Sequence, residues 1–198
     1  KEIEDNIRLA CFVPISDGQI IDLTDIKAVQ SIMTDNKLLN SKIVVNPIIT
    51  YGYGVAVDIG TTTVAASLYD LQTAKRLSVA SDVNKQARFG SDVISRIQFA
   101  STKENLMFMQ DTILNEVNSL IQKLCSDTSV GYNEINLVAI AGNTTMQHLF
   151  MGLDPTGIGV APFTPVTLDT HIFDYDAPEL KSIIKINNNG KIIVCGSI

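Results

Sequence analysis

The chain has 198 residues, 45% of them hydrophobic, and carries a formal net charge of −6. A chain of this length can bury the core of a globular domain, but its acidic balance leaves no dense Lys/Arg patch for a nucleic-acid backbone. No run of about eighteen apolar residues indicates a membrane span, and the first residues lack the basic and apolar segments of a signal peptide.

The three cysteines, Cys11, Cys125 and Cys195, lie far apart in the sequence. Their odd number and wide spacing predict neither a disulfide framework nor a paired-ligand metal site. We therefore expect a protein of the reducing cytoplasm, with neither a nucleic acid nor a membrane as its partner.

The first part of the chain carries few elements. Residues 7–23 have the pattern of two strands around an Asp-Gly turn, residues 26–33 that of a short helix, and residues 42–46 that of a strand. These are too few to form a domain, so we predict a boundary near residue 50 and one domain over 51–198. Because the chain lacks an initiator methionine and ends on an uncapped apolar pattern, we expect a piece of a longer protein.

A polar loop between two strands follows the boundary. Val55 and Val57 predict a strand that ends near Asp58, Gly60 allows a tight reversal, and residues 64–69 predict a returning strand.

This loop has the residue types of a phosphate site. Gly60 lets amide N–H groups approach phosphoryl oxygens, and the hydroxyls of Thr61, Thr62 and Thr63 are further donors. Asp58 would repel a phosphate unless a cation lay between them, and Mg²⁺ held through water is the natural one. The alternative is an ordinary hairpin whose turn contains Asp-Ile-Gly.

The following residues predict a third antiparallel strand and two helices. The third strand spans residues 75–81. The first helix follows Ser91 as its N-cap. Asp92 and Arg96 on it could lie near a site, but their spacing favours the alternative of an exposed ion pair. The second helix, residues 104–125, has an apolar residue every three or four positions, so its Met and Leu stripe is predicted to be core packing.

A second polar cluster follows an apolar strand over residues 135–141. Gly142, Asn143 and Thr144 stand between this strand and a short helix over 146–151, which is where α/β folds bind anions. Simple capping of the helix by Asn143 or Thr144 is the alternative.

The sequence pattern of the last part of the chain indicates few candidate functional residues. The acidic stretch 169–179 is expected to be solvated surface, and residues 183–195 are expected to form a hairpin around an Asn-Gly turn. His148 and His171 stand apart from each other and from any carboxylate or cysteine cluster, so both are expected to be structural or surface residues.

The polar stretches resemble a known family. Residues 57–63 look like the first phosphate loop of the acetate and sugar kinase, Hsp70 and actin superfamily. Residues 54–64, 89–97 and 141–149, in this order, are similar to the ATP-dependent reductive activators of corrinoid proteins. The resemblance covers residues 51–198. It implies an α/β, ribonuclease H-like first half of an actin-like ATPase domain, with a second half beyond this chain and ATP between the two.

The resemblance also implies roles for particular residues. Asp58 would hold Mg²⁺ through water, and the nucleotide would be bound by Gly60, Thr61, Thr62, Thr63, Gly142, Asn143 and Thr144. Cys11 looks like the last ligand of a [2Fe–2S] ferredoxin domain, of which residues 1–50 would be a remnant, but the three cysteines that should precede it are missing. For this chain, Cys11 is therefore predicted to be a small buried side chain in a strand, without a cluster.

In such activators, ATP binding or hydrolysis is linked to the uphill reduction of an inactive Co(II) corrinoid to Co(I), with an electron from the iron–sulfur cluster. A corrinoid protein is thus the implied partner, and a second copy of the chain, in a homodimer, is a further candidate. No general base can be named. A kinase or dehydratase-activator ATPase of the same superfamily, and a non-enzymatic scaffold or dimerisation module, are the alternative functions; this chain alone is expected to be inactive.

Overall fold

A computed structural model describes residues 49–197 of the chain, and the elements predicted over residues 7–46 lie outside this part. The described part holds a six-stranded mixed sheet with the strand order β3-β2-β1-β4-β6-β5. The strands are β1 (Tyr53–Ile59), β2 (Thr63–Asp70), β3 (Arg76–Val83), β4 (Ile135–Gly142), β5 (His171–Asp174) and β6 (Lys191–Val194). The helices are α1 (Val93–Phe99), α2 (Lys103–Thr128) and α3 (Thr144–Met151).

The strand directions confirm the predicted ribonuclease H-like α/β order. β1, β2 and β3 pair antiparallel in chain order, whereas β4 pairs parallel with β1 and β6 pairs parallel with β4. The carboxyl ends of β1, β4 and β6 therefore lie at one edge of the sheet. This edge is where parallel strands of α/β folds present ligand-binding residues.

The two faces of β1 differ in burial. Val55, Val57 and Ile59 are buried, whereas Ala56 and Asp58 between them are exposed. The period of two follows from the alternation of side chains along a strand. Asp58 pairs in register with Ala65 of β2 and with a second alanine of β4, so the neighbours of its carboxylate on this face are small.

Helix α2 covers the buried face of the sheet, opposite to Asp58. It packs against β2, β3 and α3, and its apolar stripe is buried, as the sequence pattern predicted, except at Leu106, which is half-buried. The buried residues of the stripe are Met109, Ile113, Val117, Leu120, Ile121 and Leu124. The predicted helix is thus confirmed, with a few more residues at its end. Within residues 49–197, no helix combines the length and the apolar character that crossing a membrane would require.

Three predictions about local elements are wrong. Residues 183–186 form no strand, because β6 pairs with β4 and β5 instead and Ile184 and Ile186 are buried in the core. Residues 171–174, expected as solvated surface, form β5 at the edge of the sheet, with alternate side chains exposed. The N-cap of α1 is Asp92 rather than Ser91, since the Asp92 carboxylate accepts a hydrogen bond from the Ser95 N–H at 2.9 Å.

Candidate functional site

The loop between β1 and β2 is a tight turn of three residues. The Gly60 N–H donates to the Thr63 carbonyl at 2.9 Å, which closes the turn. A Cβ on Gly60 would lie 2.8 Å from the same carbonyl oxygen. Gly60 does not have a positive φ, so a glycine is needed here for space and not for a left-handed backbone.

Three consecutive carbonyl groups of this loop face into the protein. The Asn84 side-chain amide donates to the Gly60 oxygen at 2.8 Å, and the Asn84 main-chain N–H donates to the Thr62 oxygen at 2.8 Å. Between them, the Arg96 Nη2 donates to the Thr61 oxygen at 2.6 Å. Both Asn84 and Arg96 have an exposed fraction of 0%, so the loop is held from within the core.

The amide N–H groups of the loop consequently face outward. In a planar trans peptide the N–H points opposite to the C=O of the preceding residue, so the N–H groups of Thr61, Thr62 and Thr63 point away from Asn84 and Arg96. Neither the Thr61 nor the Thr62 N–H donates to another residue in the described part of the chain. Successive outward N–H groups form a concavity that favours anions.

Asp58 stands beside this concavity with an open carboxylate. It is exposed, and no side chain or N–H between residues 49 and 197 donates to it. In the same range, no group of three or more His, Cys, Asp or Glu side chains is close enough to hold a metal ion. A single free carboxylate suits Mg²⁺, which typically takes one or two carboxylates together with waters and phosphate oxygens.

The cluster between β4 and α3 lies against the same loop. The Asn143 Nδ2 donates to the Thr61 hydroxyl oxygen at 3.2 Å, while its Oδ1 accepts from the Met146 N–H at 3.0 Å. Asn143 therefore caps α3 and contacts the loop at the same time. Gly142 pairs with Ile59, and a Cβ on it would lie 2.8 Å from the Ile59 oxygen. Thr144 is half-buried in the first turn of α3.

Gln147 links this cluster to the third parallel strand. Its Nε2 donates to the Gly142 oxygen at 3.1 Å, and its Oε1 accepts from the Ser197 hydroxyl at 2.7 Å. Ser197 follows β6. Together with the Asn143–Thr61 bond, these contacts connect the carboxyl ends of β1, β4 and β6. The sequence pattern predicted no role for Gln147.

The predicted surface ion pair of Arg96 is wrong. Arg96 is fully buried, its Nε donates to the Gly90 oxygen at 2.9 Å, and its Nη1 lies 3.4 Å from the Met146 sulfur. The helical spacing to Asp92 was a local signal, whereas the partner Thr61 is 35 positions away in sequence. Asn84 was missed because one asparagine in a polar connection has no distinctive sequence pattern.

His148 has the structural role that was expected. Its Nε2 accepts from the Val166 N–H at 3.1 Å, so the proton sits on Nδ1, which donates to the Thr144 oxygen at 2.7 Å. Burial is the main cause that lowers the pKa of His148 below its usual value. The His171 Nε2 lies 3.1 Å from the Thr167 hydroxyl, and His171 takes part in no ion pair among residues 49–197.

Comparisons with known proteins found a family match and related proteins. Residues 53–198 match the model of the RACo middle region. A corrinoid activation enzyme, RamQ of Eubacterium limosum, is 41% identical over 112 residues, which are 56% of this chain and 19% of that protein. The solved structure of a reductive activator for corrinoid, iron-sulfur protein is 38% identical with a TM-score of 0.69, covering 74% of this chain and 23% of the other. The chain thus spans less than a quarter of either relative, and by the match over residues 53–198 it belongs to the RACo middle region family.

Proposed function

We propose that this chain supplies one wall of the ATP site in a protein that reductively reactivates a corrinoid protein. The observation that carries the proposal is the hydrogen bond between Asn143 and Thr61, because it joins the β1–β2 loop and the β4–α3 cluster into one polar surface. On that surface the loop amides face outward and the Asp58 carboxylate is open.

The loop residues would bind the phosphate chain of the nucleotide. The N–H groups of Thr61 and Thr62 point away from the buried Asn84 and Arg96 before any ligand arrives, so little reorganisation is needed when phosphoryl charge increases during hydrolysis. The threonine hydroxyls offer further donors to the same oxygens. Gly60 keeps the backbone close enough for these contacts, because a side chain there would meet the Thr63 carbonyl.

Asp58 would hold Mg²⁺ through water and so orient it toward the phosphates. The bound ion would supply positive charge that offsets the phosphoryl oxygens. Gly142, Asn143 and Thr144 would form the adjacent part of the wall. Asn143 keeps a donor at this position even while it caps α3.

The names of the two relatives support the wider assignment. One is called a corrinoid activation enzyme and the other a reductive activator for a corrinoid iron-sulfur protein. For the protein to which this chain belongs we propose a corrinoid protein as partner and ATP-linked reduction of Co(II) corrinoid to Co(I). Residues 51–198 would be the first half of its ATPase domain, and the electron-donating cluster would come from outside this chain.

Asp58→Asn tests the proposal in the full-length protein. We expect Mg²⁺-dependent ATP hydrolysis to fall about 10- to 100-fold, which corresponds to a loss of about 1.4–2.7 kcal/mol of transition-state stabilisation. The melting temperature should stay the same or rise slightly, because no described group depends on this carboxylate.

Asp176→Asn is the matched control, since Asp176 is also exposed but lies far along the chain after β5. It should hydrolyse ATP at the wild-type rate. Wild-type hydrolysis by Asp58→Asn would contradict the phosphate-loop assignment. A full-length wild-type protein that showed no response to nucleotide or Mg²⁺ would instead favour a scaffold.

A further inference from the structure

Arg96 carries a buried charge that no carboxylate of residues 49–197 neutralises by contact. Its side chain is fully buried, and its hydrogen bonds go to the carbonyl oxygens of Gly90 and Thr61 and to the Met146 sulfur. It takes part in none of the ion pairs among residues 49–197. A buried cation without an anionic partner is costly, because the charge has lost its hydration.

The carboxyl groups of Asp92 and Glu116 both act on the pKa of Arg96, but neither removes the cost of burying its charge. Asp92 is exposed to water and its carboxylate accepts from the Ser95 N–H. Glu116 is buried, and burial raises the pKa of its carboxyl, which favours the neutral form. Only one of its oxygens accepts a hydrogen bond from the described residues, from the Lys85 N–H at 2.9 Å. Burial is also the main cause that lowers the pKa of Arg96.

The position of Arg96 directs this charge toward the loop. Its Nη2 contacts the Thr61 carbonyl, and the other end of that same peptide is the Thr62 N–H, which faces outward. A cation on the carbonyl oxygen polarises the peptide and makes its N–H a stronger donor, since hydrogen bonds in a chain reinforce one another. One peptide unit thus separates the buried charge from the predicted phosphate position.

We propose that Arg96 is a positioning residue for phosphate, which holds the Thr61 carbonyl inward and whose buried charge is balanced by a phosphoryl group bound outside the loop. The inference rests on the proposed nucleotide site and adds a determinant of its affinity. The phosphate and the guanidinium would lie on opposite sides of one peptide without touching. Affinity for phosphate should therefore depend on charge at position 96, beyond any effect on folding.

Arg96→Lys and Arg96→Gln form a matched pair. Both shorten the side chain and both keep a hydrogen-bond donor, but only lysine keeps the charge. In the full-length protein we expect a KM for Mg–ATP about tenfold higher in Arg96→Gln than in Arg96→Lys, because without the charge the Thr62 N–H is a weaker donor to phosphate. Arg88→Met removes a nearby exposed cation and should leave KM unchanged.

If the wild type hydrolyses ATP and the lysine and glutamine variants have equal KM values, this inference is wrong and the proposed function stands. No hydrolysis by the wild type would overturn both. If Arg96→Gln fails to fold, ¹H–¹⁵N NMR of the wild type decides. Adding Mg²⁺ and inorganic pyrophosphate should shift the Arg96 Nε–H signal and the Thr62 amide with the same saturation curve. A Thr62 shift without an Arg96 shift would overturn the inference.

Discussion

A side chain on Gly60 would come too close to the carbonyl oxygen of Thr63. The sequence pattern predicts a tight reversal at Gly60, and the structure has it. Glycine is needed there for space and not for a left-handed backbone, because φ at Gly60 is not positive and a Cβ would come within 2.8 Å of that oxygen. Thr62, two positions later, is exposed. The two positions should therefore differ in their tolerance of valine.

We predict that Gly60→Val lowers the free energy of unfolding by about 1–3 kcal/mol, as overpacking does elsewhere. Thr62→Val should change it by less than about 0.5 kcal/mol, because its side chain faces solvent. Urea denaturation of the two variants and the wild type would measure both values. Small and equal effects would show that the loop has room for a side chain at Gly60.

Arg96 and Asn84 show what a local pattern could not indicate. Helical spacing placed Arg96 near Asp92, and this predicted an ion pair in water. The Arg96 side chain bonds to a loop residue 35 positions away, and the Asn84 side chain bonds to one 24 positions away. Such contacts depend on how α1 and the end of β3 pack against the loop, and no short window of sequence contains that information.

Helix α3 begins at a residue with two functions. Capping of the helix and contact with the phosphate site were alternative interpretations of Asn143 in the sequence. In the structure this side chain caps the helix and also contacts the β1–β2 loop, with Oδ1 on the Met146 N–H and Nδ2 on the Thr61 hydroxyl. A substitution that keeps the acceptor but removes the donor can therefore separate the two functions.

Asn143→Asp is predicted to keep the stability of the protein within about 0.5 kcal/mol, because Asp and Asn cap helices about equally well. It should nevertheless raise the KM for Mg–ATP in the full-length protein, since a carboxylate cannot donate to Thr61 and repels phosphate.

Asn143→Ala, as the comparison, should lose about 1 kcal/mol of stability with the cap. Thermal melts and steady-state kinetics would provide both readouts. A wild-type KM in Asn143→Asp would mean that Asn143 is a helix cap and nothing more.

The end of the chain shows how a correct turn can accompany a wrong strand partner. The Asn-Gly signal predicted a hairpin, and the turn does form, with the Gly190 N–H donating to the Asn187 oxygen at 2.8 Å. The residues before it do not pair with β6, because the edge of β4 is available and pairs with β6 in parallel. Turn residues specify a local reversal, whereas the strand partner depends on the whole sheet.

As a whole, the described part of the chain carries one polar surface at the carboxyl ends of its parallel strands. Asp58, the loop amides and Asn143 belong to it, and under the proposed function they form one wall of a nucleotide site. The relatives are several times longer than this chain, which covers 23% of the solved reductive activator. The family match begins at residue 53, so the predicted boundary near residue 50 and the identity of residues 1–50 stay predictions.

We predict that the 198-residue chain assembles no [2Fe–2S] cluster within one molecule. Such a site needs four ligands, usually thiolates, and the chain has only three cysteines. Cys125 is buried in α2, and burial raises the pKa of its thiol, which disfavours the thiolate that binds iron. Cys11 lies outside the described residues.

Anaerobic reconstitution followed by iron and sulfide analysis would measure the result, with the full-length protein as the comparison. We expect far less than two irons per chain after gel filtration, since a [2Fe–2S] cluster contains two. A stoichiometric [2Fe–2S] spectrum in a monomeric fraction would contradict the prediction.

The sequence by itself determined the features that depend on neighbouring residues. Alternation of apolar residues predicted β1 and β2, the repeat of three or four predicted α2, and Asp58 with Gly60 marked the loop. The tertiary structure alone decided which oxygens of that loop face inward, that Arg96 is buried, and which strand lies beside β6. The reason is physical: periodicity and turn chemistry act over a few residues, whereas burial and strand pairing are set by distant segments that meet only in the folded chain.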